Sequence, residues 1–118
     1  MHITVTFRHL DASDALREHA EEKSERLQKY LIEPIEIHWV LSVEKIRHIA
    51  DVTIVAGGVS LKAQEETHDM YPAIDMAASK IEKQVRKHKE RLKDHKSHDN
   101  ANSIKYGAGE ELEQEAEE

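Results

Sequence analysis

Hydrophobic residues recur along this chain with two different periods, and the succession of those periods predicts the order of its elements. Near the N-terminus Ile3, Val5 and Phe7 alternate with polar residues, which is the pattern of a half-buried strand. The same alternation returns three more times further along the chain. The strands that it predicts cover residues 2–8, 35–43, 49–56 and 59–65.

Two other stretches carry the three- and four-residue spacing of a helix with one buried face. The first begins after Ser13, a favourable N-cap residue, and is predicted to run to Leu31 with Ser24 interrupting its apolar stripe. Pro34 marks the break before the next strand. The second helix is predicted over residues 69–96. The predicted buried stripes are Leu16, Ala20, Leu27 and Leu31 in the first helix, and Ile74, Ala77, Ala78, Ile81, Val85, His88 and Leu92 in the second.

The predicted order is therefore strand, helix, three strands and helix. Gly57 and Gly58 predict a two-residue hairpin turn between the last two strands, because glycine accepts positive φ at both positions. An antiparallel four-stranded sheet with both helices packed on one face buries all of these stripes. We therefore expect an α+β domain of β-α-β-β-β-α order over residues 1–96. Residues 97–118 lose the periodicity and most of the apolar content, which predicts a disordered acidic tail.

Composition narrows the class of protein. Charged residues make up 35% of the 118 residues and aromatic residues only 4%, so the core must be aliphatic and small. There is no cysteine, which excludes a disulfide framework and a thiolate metal site. The N-terminus carries charges where a secretory signal needs an apolar run, and no stretch reaches membrane-spanning length. We expect a soluble cytoplasmic protein with no membrane partner.

The net charge of −7 is unevenly distributed. Residues 1–96 carry −1, and residues 97–118 carry −6. Between Lys80 and Lys96 eight cations face only three acids. At about 100° per residue, several of these cations fall on one flank beside the buried stripe. A solvated helix rich in good helix formers would also look like this, but the one-sidedness favours a partner that bears phosphate. The cations of this flank are Lys80, Lys83, Lys87 and Arg91.

Several stretches resemble the ribosome hibernation-promoting factor and ribosome-associated inhibitor family. They are DALREHAEEKSERLQKY in the first helix, VEK at residues 43–45, ADVTI with the Gly-Gly turn, and DMYPAID followed by KIEKQVRKHKERLK. The resemblance covers residues 2–96. It implies the same β-α-β-β-β-α order, similar in shape to a double-stranded RNA-binding domain. It also implies a translation inhibitor of stationary phase and stress that binds the small subunit in the decoding channel and excludes tRNA and mRNA.

The resemblance also implies particular binding residues. Six cations match positions where the family places cations for ribosomal RNA, and two further residues match the DMY-x-AID motif. For those two, a purely structural role remains an alternative, since Asp can cap a helix and Tyr can pack at a sheet edge. The chain departs from the family at Ser24 and at 77–79, where Ala, Ala and Ser replace bulkier or acidic residues. With Arg91 from the basic flank, the candidate rRNA-binding residues are Lys23, Arg26, Lys80, Lys83, Arg86, Lys87, Arg91, Tyr71 and Asp75.

Catalysis and metal binding find little support in the sequence. There is no nucleophile elbow, Gly-rich phosphate loop or cysteine nucleophile, so we expect no enzyme and no cofactor. Among the nine histidines, His88, His95 and His98 lie near one another, but without a ligand motif and on a stretch rich in cations. No metal site is therefore predicted.

Two other classes of function remain open at this point. One is a general double-stranded RNA-binding module that is not specific to ribosomes, and the other is a scaffold that pairs helices with another protein. The low aromatic content argues against a platform for single strands, and Trp39 falls in an alternating apolar face. We expect a ribosomal RNA partner, no DNA partner and a monomer off the ribosome.

Overall fold

The computed structural model describes residues 1–97, and the side chains of residues 1–88. The predicted β-α-β-β-β-α order is confirmed. The predicted tail, apart from its first residue Ser97, lies outside the described residues. The elements are β1 (His2–Arg8), α1 (Asp14–Glu25), β2 (Ile35–Glu44), β3 (Arg47–Ala56), β4 (Val59–Thr67) and α2 (Met70–Ser97), with a 3-10 turn at Gln28–Tyr30 after α1.

The sheet is four-stranded in the order β1-β2-β3-β4, but it is not wholly antiparallel as predicted. β2 pairs with β3, and β3 with β4, in antiparallel fashion, whereas β1 lies parallel to β2. The reason is the connection: a helix between two neighbouring strands returns the chain to the end where the first strand began, and the second strand then runs the same way. The prediction of an antiparallel sheet was wrong at this edge.

One face of the sheet carries the core. In the paired register Val5 lies beside Trp39, Trp39 beside Val52, and Val52 beside Ala63. This row packs among the buried residues of both helices. The predicted stripe of α2 is confirmed through Val85, whereas His88 is partly exposed and the side chain of Leu92 lies outside the described residues. The buried residues of the helices are Leu16, Ala20 and Ser24 in α1, and Met70, Ala73, Ile74, Ala77, Ala78, Ile81 and Val85 in α2.

α1 is shorter than predicted, since it ends at Glu25 and not at Leu31. The N–H of Leu27 donates to the carbonyl of Ser24 at 2.9 Å, and the N–H of Tyr30 donates to that of Leu27 at 3.0 Å. These three-residue steps tighten the chain into 3-10 geometry. Leu27 remains buried, but Leu31 is only partly buried against the core.

Ser24 does not interrupt the buried face of α1, contrary to the prediction. It is fully buried, and its hydroxyl donates to the carbonyl of Ala20 at 2.8 Å. The same oxygen accepts the indole N–H of Trp39 at 2.8 Å. A buried indole N–H needs an acceptor, and Ser24 supplies it within an otherwise apolar core.

The chain divides into two compact units, residues Met1–Val85 and a second unit that starts at Arg86 within α2. The first unit contains the sheet, α1 and the buried part of α2.

Candidate nucleic-acid interface

Two candidate cations, Lys23 in α1 and Arg26 directly after its last residue, lie on the flank that borders α2. The helix starts where the Ser13 hydroxyl accepts the N–H of Leu16 at 3.2 Å, with the acidic Asp14 in the first turn. The position of this helix start determines which residues face the core, so that Leu16 is buried and Lys23 and Arg26 lie on one side. Arg26 is exposed, whereas Lys23 is partly buried.

The first turns of α2 carry Tyr71 and Asp75, and both contact α1. Asp75 Oδ1 lies 2.7 Å from His19 Nε2 and 3.4 Å from Lys23 Nζ. The ring of Tyr71 meets the ring of His19 edge-on, with centroids 5.0 Å apart and planes at 77°. Both residues therefore have a structural role between the helices, and both remain exposed to solvent.

The charge state of Asp75 follows from these neighbours. Burial by itself would raise the pKa of Asp75, but the hydrogen bond from His19 and the positive charge of Lys23 outweigh it. The pKa of Asp75 is therefore held below its ordinary value. An ionised carboxylate thus stands among the candidate cations and compensates one of them.

Lys80 and Lys83 share a helix but differ in their surroundings. Lys80 Nζ lies 3.2 Å from Glu65 Oε2 on β4, and the two side chains are only 25% and 26% exposed. Lys83 is exposed and forms no ion pair or side-chain hydrogen bond within the described part of the chain. The predicted flank therefore borders β4 at Lys80 and opens to solvent at Lys83.

Three candidate cations belong to the second unit. Arg86 and Lys87 have exposed side chains on α2, and each takes part in further contacts. Arg91 lies on the helical backbone of α2, but its side chain is outside the described residues.

A shallow notch separates α1 from α2 in the first unit. Its lining combines two cations, two carboxylates and two small residues. Small side chains on the wall opposite the cations let a phosphate backbone approach closely, while carboxylates limit the net charge that it meets. The notch was not predicted from the sequence, because its two walls come from segments about fifty residues apart. Its lining residues are Lys23, Arg26, Asp75, Ala78, Ser79 and Glu82.

Sequence reasoning also missed the neighbours that modify the candidates. His19 stands one helical turn before Lys23, and such spacing could have indicated a shared partner. Glu65, by contrast, looks like an ordinary polar residue at the end of a strand. Only the packing of α2 beside β4 brings it to Lys80.

The described residues contain neither a metal-binding cluster nor a helix that could span a membrane. Within them, no group of three or more His, Asp or Glu side chains is placed to hold a metal ion. His88 is partly exposed, and His95 and His98 have side chains outside the described part. The helices of residues 1–97 include none that is both long and apolar enough to cross a membrane.

Comparisons with known proteins agree on one family. The model of the family described as "Sigma 54 modulation protein / S30EA ribosomal protein" matches residues 3–93. The ribosome hibernation promoting factor of Salmonella typhimurium is 36% identical over 95 residues, which cover 80% of this chain and 100% of that protein. The factor of the same name from Azotobacter vinelandii is 35% identical over 91 residues, which cover 77% of this chain and 85% of that protein.

Two solved structures share the fold. The N-terminal domain of Thermus thermophilus Protein Y has a TM-score of 0.70 at 32% identity, over 74% of this chain and 98% of that one. A ribosomal subunit interface protein from Coxiella burnetii has a TM-score of 0.67 at 34% identity, over 76% of this chain and 99% of that one.

Proposed function

This chain belongs to the Sigma 54 modulation protein / S30EA ribosomal protein family, and we propose that it is a cytoplasmic ribosome hibernation factor. It binds the small ribosomal subunit through ribosomal RNA and occupies the decoding channel, so that tRNA and mRNA are sterically excluded. Translation is silenced by occupation of space and not by catalysis. The names of its relatives support this proposal, since two are ribosome hibernation promoting factors and another is a ribosomal subunit interface protein.

The observation that carries the RNA contact is the pair of exposed cations Arg26, which follows α1 and lines the notch, and Lys83 on α2. Structured RNA is recognised largely through phosphates, 2′-hydroxyls and shape. Exposed cations presented from two neighbouring helices suit such a surface and need no base-specific contacts. The full proposed set remains the nine residues predicted from the sequence.

The surroundings of the candidate cations indicate which of them should contribute most to RNA affinity. Arg26 and Lys83 form no ion pair or side-chain hydrogen bond within the described residues, whereas Lys23 and Lys80 already face carboxylates. A cation that must leave a protein carboxylate gains less from a phosphate. We therefore expect Arg26 and Lys83 to contribute most to RNA affinity in the first unit.

Charge reversal tests this ranking. In Arg26→Glu/Lys83→Glu, affinity for small subunits should fall by roughly tenfold per lost contact at 0.1 M salt, and the salt dependence should flatten. Co-sedimentation over a salt series measures both. The matched control is Lys62→Glu, an exposed lysine whose side chain points to the opposite face of the sheet. If the double variant binds like the control, the RNA contact is assigned to the wrong surface.

Competition tests the location on the ribosome. A factor in the decoding channel should be displaced by tRNA together with mRNA, and it should bind a random RNA duplex much more weakly than the small subunit. A general duplex-RNA binder would show comparable affinity for both RNAs and no such displacement. A scaffold that contacts only protein would show no dependence of ribosome binding on salt.

A further inference from the structure

One oxygen atom of α2 is shared by two side chains of α1. Asp75 Oδ1 lies 2.7 Å from His19 Nε2 and 3.4 Å from Lys23 Nζ. The side chains of His19 and Lys23 are 24% and 22% exposed, so both are held in place, whereas Asp75 is 47% exposed. Asp75 and Lys23 also line the notch beside Arg26.

The trio formed by His19, Lys23 and Asp75 has a different net charge in each protonation state of His19. When His19 is neutral, its ring donates one hydrogen bond and Asp75 balances the charge of Lys23. When His19 is protonated, an imidazolium stands at hydrogen-bond distance from the same carboxylate oxygen, which makes that contact charge-assisted. The carboxylate then has a closer cation than Lys23, and the trio carries a net charge of +1.

We propose that His19, Asp75 and Lys23 form a proton-linked switch: protonation of His19 satisfies Asp75 and makes the ammonium of Lys23 available to an RNA phosphate. The inference rests on the proposed function, because it assigns regulation to the same RNA-binding surface. Histidine is the side chain whose ordinary titration falls between pH 5 and 8. RNA affinity therefore rises as the pH falls through that range, and by linkage RNA binding takes up a proton.

Both helices contribute charged or aromatic groups around His19. α2 contributes the carboxylate of Asp75 and the ring of Tyr71, whose contact holds the imidazole in place. On α1, the neighbouring charged side chains are the exposed Glu22 and the partly buried Lys23, three and four residues after His19. The lowered pKa of Asp75 keeps the carboxylate ionised across the range in which histidines titrate.

The binding experiment compares two histidine variants at constant ionic strength. Small-subunit affinity of the wild-type protein should tighten by roughly tenfold between pH 8 and pH 5.5, the value of one additional phosphate contact at 0.1 M salt. His19→Gln keeps a hydrogen-bond donor but cannot gain charge, so most of this tightening should disappear.

The matched control is His38→Gln. His38 Nε2 also faces a carboxylate oxygen, that of Glu36 at 3.4 Å, but on the sheet face opposite the helices. The control should keep the wild-type pH dependence, including whatever the ribosome itself contributes. An unchanged pH dependence in His19→Gln would overturn the switch.

A second readout needs no RNA. In the free protein, an NMR titration should show the Lys23 side-chain signals shifting with the same midpoint as the His19 ring, and Asp75→Asn should uncouple the two. Independent midpoints in the wild-type protein would overturn the switch even if ribosome binding is confirmed. Absence of ribosome binding at every pH would instead contradict the proposed function, while the titration would still decide the coupling.

Discussion

At the scale of single residues, the buried hydroxyl of Ser24 contributes to stability through its hydrogen bonds. The Ser24 hydroxyl is the buried acceptor for the indole N–H of Trp39, and its own O–H donates a hydrogen bond to the carbonyl of Ala20. Removal of this oxygen leaves a donor inside an apolar core with no water to replace it. The cost of such a group exceeds the value of an ordinary hydrogen bond.

We therefore predict that Ser24→Ala lowers the free energy of unfolding by about 1–3 kcal/mol. Urea denaturation followed by circular dichroism measures this loss. If the loss comes from the orphaned N–H, then Ser24→Ala should cost much less in a Trp39→Phe background, which lacks the donor. An equal cost in both backgrounds would show that packing, and not the hydrogen bond, is the cause.

At the scale of elements, polar contacts connect α2 to α1 on one side and to β4 on the other. Asp75 ties it to α1 through His19 and Lys23. Lys80 ties it to β4 through Glu65, and Gln84 Nε2 donates to the carbonyl of Lys62 at 3.0 Å. These contacts fix the rotation of α2 about its own axis, so that Lys83 is directed to solvent. The orientation of the candidate basic flank of α2 is therefore determined by its neighbours as well as by its sequence.

The turn of the β3–β4 hairpin requires two glycines with positive φ. Gly57 and Gly58 have φ of 54° and 76°, and a Cβ added at either position would meet nothing within 4 Å. We predict that Gly58→Ala destabilises the domain by about 1–2 kcal/mol, the cost of a left-handed conformation for an L-residue. Gly58→Asn should cost less, since Asn tolerates this region. Thermal unfolding compares the two variants, and equal midpoints for Ala and glycine would contradict the argument.

At the scale of the whole molecule, the distribution of charge matters more than its sum. The chain carries −7, of which −6 belongs to residues 97–118 and −1 to residues 1–96. We expect a segment of that charge, covalently attached to a basic helix, to compete with weak RNA ligands for the same cations. A ribosome that makes many contacts at once should be much less affected.

We predict that deletion of residues 98–118 tightens binding to a random RNA duplex at low salt and changes small-subunit affinity much less. The difference should shrink as salt screens the charges. The control is a chain of the same length in which the six glutamates of this segment are replaced by glutamine. Filter binding and ribosome co-sedimentation measure the two affinities. Equal duplex affinity with and without the segment would rule out this screening.

Local patterns in the sequence determined the order of elements, the Ser13 cap, the Gly-Gly turn and the buried stripe of α2 through Val85. Each depends on residues within a few positions of one another, so periodicity and turn chemistry encode it directly. The candidate cations could also be predicted from the sequence, and their contact with RNA stays a prediction.

The tertiary structure alone decided which of those cations are already compensated. It also decided the parallel pairing of β1, the end of α1 at Glu25 and the burial of Ser24. The physical reason is sequence separation: Ser24 and Trp39 are 15 residues apart, and His19 and Asp75 are 56 apart. Such partners meet only when helices pack on a sheet, and no local pattern specifies that meeting.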